Sequence, residues 1–278
     1  MTWFDPPAAA VREVVARALA EDVLPVGDVT AALLDTYALG AGAVVSRAPG
    51  VLAGSLCAAE AFTQVDGRVV VRWLSQDGDG LAAGTKVAEV EGPLRSILTA
   101  ERTALNLLCH LSGVATLTRR FVDAAGGVAV LDTRKTTPGL RALEKAAVRA
   151  GGGRNHRGNL SEMVLVKDNH RAALGVAEAV TRARRLWPMR TVEVECDTAG
   201  QVKEAVEAGA DAVLLDNMAP DEVGHCVALV AGRAFVEASG GITLGTVGAY
   251  AGTGVDAVSV GALTASAPAL DLGLDLEA

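Results

Sequence analysis

Aromatic side chains are scarce in this chain: three Trp, two Tyr and four Phe among 278 residues. That leaves few rings for the stacking platforms that hold single-stranded nucleic acid. Thirty-three acidic against 25 basic residues, a formal net charge of −8, also oppose a polyanion in bulk. Nucleic acid is therefore not an expected partner, and any basic site has to be local. The four cysteines, Cys57, Cys109, Cys196 and Cys226, are widely scattered, with no C-x-x-C pair and no His at ligand spacing. They read as reduced, buried thiols of a cytoplasmic protein. No uncharged apolar run approaches the roughly 18 residues of a membrane helix, and Met1–Pro7 carries Asp5 and two prolines instead of a basic, then apolar leader. Neither export nor a membrane is expected. G-x-S-x-G, G-x-G-x-x-G and Walker sequences are all missing, which argues against serine hydrolase, dinucleotide-binding and ATPase readings.

What is present is material for a large core: half the residues are apolar and 21% are charged. The length suits one barrel-sized domain, or an average domain with a smaller companion. A helix near Ala8 to Glu21 precedes strand candidates at Ala43–Arg47, Val69–Ser75 and Lys86–Glu91, with a helical stretch at Ser55–Val65 among them. Pro93 opens a long helical pattern carried by Leu94, Ile97, Leu98, Leu105, Leu108 and Leu111. Beyond it a unit repeats, in which a short apolar strand ends in polar residues and an Ala-rich helix follows. The strands read Val128–Leu131, Met163–Val166, Thr191–Val194, Ala212–Leu215, Phe235–Ala238 and Ala257–Val260. Apolar strands separated by helices of that length imply a parallel sheet, either an α/β barrel short of eight strands or a doubly wound sheet. The last segment, Asp271 to Leu276, alternates with period two and predicts an exposed edge strand returning to the first domain.

The residues that follow each predicted strand carry the chemistry. They are Asp132-Thr133-Arg134-Lys135, then Lys167-Asp168-Asn169-His170, then Glu195, Asp216-Asn217, Ser239-Gly240-Gly241 and Gly261. In a parallel barrel the strand C-termini open on one face, so these groups converge on one mouth. Residues 132 to 171 hold nine basic against four acidic residues, a local excess of positive charge in an acidic chain. Arg141, Lys145 and Arg149 read as solvated helix-surface cations, whereas Arg134, Lys135, Arg157 and Lys167 sit at strand ends or in a glycine-rich loop. Guanidinium groups grip carboxylate and phosphate oxygens in pairs, so this convergence predicts a small, multiply anionic ligand. Glu195 and Asp216, at the ends of adjacent strands, suit a Mg²⁺ ion shared with substrate phosphates, and equally suit salt bridges to the neighbouring cations. The Ser239-Gly240-Gly241 and Gly261 turns match the phosphate cradle that barrels place in their last two βα loops. His110 and His225 lie on apolar helical stretches and read as packed residues.

The strings TAERTALNLLCHLSGVATLT, LDTRKTTPGLRALEKAAVRAGGG and NHRGNLSEMVLVKDNH, with EVEC, LLDN, EASGGIT and SVGALT, closely resemble the quinolinate phosphoribosyltransferase family over nearly the whole chain. The resemblance implies an N-terminal α/β sandwich, residues 1–108, with the tail 266–278 returning to it, and an open, incomplete α/β barrel of TIM-like topology, residues 109–265. It implies a cytoplasmic homodimeric enzyme that joins quinolinate to phosphoribosyl pyrophosphate with Mg²⁺, giving nicotinate mononucleotide, pyrophosphate and carbon dioxide. By similarity Arg134, His156, Arg157 and Lys167 clamp the two carboxylates of quinolinate, and Arg102, in ERTALN, reaches in from the partner subunit. Lys135, Glu195 and Asp216 match the catalytic positions that hold phosphoribosyl pyrophosphate and its metal, with Thr133 beside them. Ser239, Gly240, Gly241 and Gly261 match those around the 5′-phosphate.

One departure stands out: the family's usual His after SVGALT is Ala265 here. It motivates an alternative, a non-catalytic protein that binds phosphoribosyl or pyridine-acid ligands. A second alternative is a paralogous barrel transferase acting on another ring acid. Complete TRKTTPG and KDNH elements argue against the paralogue, and intact Lys135, Glu195 and Asp216 favour an enzyme over a binder.

Overall fold

The Ala- and Val-rich periodicities become a succession of short helices and strands in the computed structural model, which describes residues 5–277. In order they are α1 (Ala8–Val23), a 3-10 turn (Ala31–Leu33), β1 (Leu39–Ser46), β2 (Gly50–Val51), α2 (Ser55–Val65), β3 (Val70–Trp73), β4 (Gly80–Leu81) and β5 (Lys86–Pro93). There follow α3 (Leu94–Ala124), β6 (Ala129–Leu131), α4 (Arg141–Ala150), β7 (Val164–Val166), α5 (Asp168–Leu174), α6 (Val176–Leu186), β8 (Val192–Cys196) and α7 (Ala199–Glu207). Then come β9 (Ala212–Asp216), α8 (Pro220–Val230), β10 (Phe235–Ser239), α9 (Val247–Ala251), β11 (Ala257–Ser259), α10 (Ala262–Ala265) and β12 (Leu272–Leu276). Among the described residues, no helix is long and apolar enough to cross a membrane.

Two compact units divide the chain. The first takes the chain up to Arg119, Thr136–Gly152 and everything from Leu263 onward; the second takes Arg120–Lys135 and Gly153–Ala262. Both the expected boundary after residue 108 and the division after Arg119 fall inside α3, whose buried stripe continues from Leu105 and Leu108 through Leu111 to Val114 and Ala115. A helix with one continuous apolar face has no natural cut in its middle.

In the first unit a four-stranded antiparallel sheet runs in the order β12-β1-β5-β3. The period-two tail forms its edge: β12 pairs with β1 alone, from Gly42 opposite Leu276 to Ser46 opposite Leu272, and Arg47 holds Asp275 in an ion pair. α1 buries Val11, Val14, Val15 and Leu19, spaced along one helical face, and packs on α2. The β2–β4 pair, two residues a side, is too short to register as a pattern in the sequence. The three α4 cations expected in solvent are drawn in: Arg141, which donates to Thr136 Oγ1 at 3.0 Å, and Arg149 are half-buried. Lys145 on α4 is buried, as is its neighbour Glu144, which takes His110 Nε2 at 2.8 Å and the Thr137 amide at 3.1 Å. His110 is therefore half-buried against an acid, not packed among apolar groups.

In the second unit six parallel strands lie in the order β6-β11-β10-β9-β8-β7. From β7 to β11 successive strands are neighbours, while β6 and β7 occupy opposite edges, which makes this an open barrel-type sheet. The free edge of β6 is partly covered by Arg154, which pairs with Leu131. The register is pinned by a small repeat. In Ala210-Asp211-Ala212-Val213 and Val255-Asp256-Ala257-Val258 the aspartate accepts an amide at the start of the strand before, that of Val192, first in β8, at 2.7 Å and that of Val236, second in β10, at 2.8 Å. Every strand tip then arrives at a defined height on one face.

Gly113 makes a sharp packing test of the first unit. Glycine inside a helix costs about 1 kcal/mol relative to alanine, yet here a Cβ would stand 2.1 Å from the carbonyl oxygen of Pro268, on the stretch leading to β12. Gly113→Ala is expected to lower stability by about 1–3 kcal/mol through overpacking, whereas Gly67→Ala, with nothing within 4 Å, is not. Thermal unfolding checks this; a higher melting temperature for Gly113→Ala contradicts the close approach of the tail.

Candidate active site

The mouth of the open barrel is assembled from β6 outward. Asp132, fully buried where β6 ends, accepts the His156 amide at 2.9 Å and Asn155 Nδ2 at 2.6 Å. The amide of Arg154 meanwhile donates to the Val130 carbonyl at 2.8 Å. Residues 154–157 are thereby stitched to the edge of β6. The next residue, Thr133, accepts the Lys135 amide at 3.0 Å. This tight turn lays the Lys135 side chain against the end of β11, where a Cβ on Gly261 would be 3.0 Å from Lys135 Cδ and 3.7 Å from Thr133 Oγ1.

That stitching places two guanidinium groups close together. Arg134 and Arg157 are both half-buried, and the Arg157 pKa is pushed down by burial and by the positive charge of Arg134, with Glu193 acting against both. The charge of Arg134 adds to the cost of keeping half-buried Arg157 charged, and a bound anion would relieve that cost.

The acids come from the next strands. β8, Val-Glu-Val-Glu-Cys, is buried throughout, and its alternation sets Glu193 and Glu195 on one face and Val192, Val194 and Cys196 on the other. Glu195 is paired with Lys167, which leaves the end of β7. Asp216 is the last residue of β9, and its pKa is raised by burial and by the charge of Glu195, with Lys167 opposing. Lys167, Glu195 and Asp216 thus form one cluster in which negative charge is in excess. The hard carboxylate oxygens of Glu195 and Asp216 suit a divalent cation such as Mg²⁺, whose charge would relieve that excess. Glu195, Asp216 and Ser239 lie within their strands, not beyond them, because the parallel ladder continues to the pair Ser239–Asp216.

The tips of β9 and β10 interlock. Asn217 adopts φ 57°, donates its amide to Ser239 O at 2.9 Å and its side chain to Asp216 at 2.7 Å. Gly240, at φ +91°, has Asn217 Oδ1 only 2.2 Å from where a Cβ would sit, so only glycine fits. Gly241 follows at φ +60°. The predicted glycine turn is thus a left-handed loop with backbone open to an anion.

Below the mouth lies a group that the strand-end reading misses. His156 Nε2 stands 3.0 Å from Glu193 Oε2 and 3.4 Å from Glu237 Oε2, both carboxylates almost wholly buried. Burial alone would lower the imidazole pKa, but hydrogen bonds to the two acids outweigh it and raise it to about 10. The signal was in the sequence: an acid in mid-strand in Phe-Val-Glu-Ala-Ser, and a second acid two residues before Glu195.

The second unit holds Thr133, Arg134, Lys135, His156, Arg157, Lys167, Glu195, Asp216, Ser239, Gly240, Gly241 and Gly261, with Thr133 and Lys135 set against Gly261 and Lys167 against Glu195. Arg102 belongs to the first unit, exposed on α3, where with Asp22, Asp28 and Thr99 it lines a cavity of about 310 Å³. Ala265 is the exposed last residue of α10. His225 is exposed on α8 and not packed, because it falls on the helix's outer side between the buried Val223 and Cys226. The cysteines are free, with Cys109 half-buried and the rest buried; burial drives the thiols of Cys57 and Cys196 up to about 12, which leaves them protonated and unreactive.

Comparison with known proteins agrees with this architecture. Residues 28–112 match the family model "Quinolinate phosphoribosyl transferase, N-terminal domain", and residues 114–275 match its C-terminal domain. A carboxylating nicotinate-nucleotide pyrophosphorylase of Mycobacterium leprae (strain TN) is 43% identical over 278 residues, covering 96% of this chain and 97% of that one. The Homo sapiens protein of the same name is 43% identical over 256 residues, 88% of this chain and 85% of that one. The solved structure of a nicotinate-nucleotide pyrophosphorylase from Francisella tularensis superposes with a TM-score of 0.94 at 39% identity, covering 98% of both chains. With both domains matched in order and the two-unit fold shared, the chain belongs to the quinolinate phosphoribosyl transferase family.

Proposed function

We propose that this chain transfers the phosphoribosyl group of phosphoribosyl pyrophosphate to quinolinate with loss of carbon dioxide, yielding nicotinate mononucleotide for NAD synthesis. The observation that carries the reading is the half-buried pair Arg134 and Arg157, in the unit that also holds the Lys167–Glu195–Asp216 cluster and the Gly240 turn. A dicarboxylate answers the paired guanidiniums; a sugar pyrophosphate answers the rest.

In this reading Arg134, His156, Arg157 and Lys167 hold the two carboxylates and orient the ring nitrogen toward the ribose C1. That nitrogen forms the new bond as the bond from C1 to pyrophosphate breaks through an oxocarbenium-like state. Lys135, fixed by Thr133 beside Gly261, faces the departing phosphates, while Ser239, Gly240 and Gly241 receive the 5′-phosphate. Glu195 and Asp216 would hold Mg²⁺, which when bound supplies positive charge against the leaving group. The positive charge of the alkylated ring nitrogen then stabilises the electron pair left on the adjacent ring carbon as its carboxylate departs as carbon dioxide, and that pair takes a proton from solvent. Arg102 completes the clamp from the partner subunit of a cytoplasmic homodimer. The relatives described above are all named nicotinate-nucleotide pyrophosphorylases, so nothing favours a transferase for another ring acid or a binder without activity.

Purified protein given quinolinate, phosphoribosyl pyrophosphate and Mg²⁺ is expected to form nicotinate mononucleotide, and the absence of product overturns the reading. Arg134→Ala is expected to raise KM for quinolinate about tenfold to a hundredfold, the loss of one charge-assisted hydrogen-bonding group, with KM for phosphoribosyl pyrophosphate little changed. Equal effects on both substrates contradict the assignment. Lys135→Ala is expected to show the reverse pattern, losing about tenfold or more in kcat/KM for phosphoribosyl pyrophosphate; an unchanged value removes Lys135 from the leaving-group site.

A further inference from the structure

Glu193 and Glu237 have no role in the scheme above, yet each is only 1% exposed, in mid-strand on β8 and β10. A carboxylate at that depth is costly unless it is partnered, and an apolar pair of the same volume would serve the fold as well. Their partner is the ring of His156, one imidazole for two acids, and Glu237 Oε1 is left buried with no hydrogen-bond partner. Such an arrangement serves a purpose other than packing.

Its neighbours indicate which. Glu193 also acts on Arg157, which in turn crowds Arg134. The groups facing His156 are Glu193 from β8, Glu237 from β10 and, at its backbone amide, Asp132 from β6, with Arg157 next in the chain. The buried acids therefore contact His156, and Glu193 also acts through its charge on Arg157.

We propose that Glu193 and Glu237 are positioning residues for the substrate clamp: they fix the His156 ring and keep it an imidazolium, so that its charge joins those of Arg134 and Arg157. The inference rests on the reading of function above. The raised imidazole pKa agrees with it, since a ring that titrates near 10 keeps its charge throughout the neutral range. With both acids neutral, burial acts unopposed and holds the ring at or below the ordinary value of about 6.5.

The test uses the full-length double variant Glu193→Gln/Glu237→Gln, which keeps side-chain shape. Nitrogen-15 NMR of His156 needs no substrate: the wild-type ring is expected to stay protonated from pH 6 to pH 8, and the variant ring to be neutral at pH 8. At pH 8 KM for quinolinate is expected to rise about tenfold or more in the variant, the loss of one charge-assisted contact. At pH 5.5 the gap in KM for quinolinate between variant and wild type is expected to be smaller than at pH 8, because acid returns charge to the ring, and KM for phosphoribosyl pyrophosphate is expected to stay within about threefold at both pH values. A merely structural role would raise KM alike at both pH values and for both substrates, and that result overturns the proposal, as does a His156 ring still protonated in the variant at pH 8. If the double variant does not fold, the single variants are read in the same way, each with a smaller shift in the same direction. A wild type that makes no nicotinate mononucleotide sinks the reading of function instead, and the NMR titration still decides what the buried acids do to His156.

Discussion

The crowding of Arg134 against Arg157 is the constraint around which the second unit is organised. Like charges held half out of water repel, and the chain pays for this with a rigid support: Asp132, buried at the end of β6, grips the backbone of His156 and the side chain of Asn155. That carboxylate adds to the backbone pairing of Arg154 with Val130 and Asp132, which lays the segment along the edge of β6. In the proposed reading, a doubly negative guest relieves this repulsion more than a singly negative one does.

Charge alternates with depth in this barrel. Cations of the loops lie at the mouth, the acids Glu195 and Asp216 stand at the strand tips, and Glu193 and Glu237 occupy the interior. The layers are coupled through shared neighbours, since Lys167 ties Glu195 to the mouth and Glu193 faces both His156 and Arg157. A fold built only for stability would fill these positions with branched apolar residues.

Much of this was legible in the sequence, and the reason is physical. Parallel strands covered by helices read as short apolar runs, so all six were found to within one or two residues at each end, and the polar residues at their ends marked the mouth. The period-two tail announced an edge strand, and TRKTTPG and KDNH carried the family. What stayed hidden depends on partners distant in sequence. Charged residues are normally solvated, so Lys145 read as exposed, and nothing local reveals that Glu144 meets His110 from α3. Glu193 and Glu237 stay hidden because an acid within a short apolar run gives no local sign of its partner, although alternation along β8 sets Glu193 on the same face as Glu195.

The central claim is that two crowded guanidiniums await a dianion. Calorimetric titration of the protein with quinolinate and, separately, with nicotinate, which lacks one carboxylate, tests it without relying on turnover. The account predicts that quinolinate binds tighter by about tenfold or more, the worth of one charge-assisted contact, and that this advantage shrinks as salt is added. Equal affinities for the two acids, or a preference that salt leaves unchanged, would contradict it.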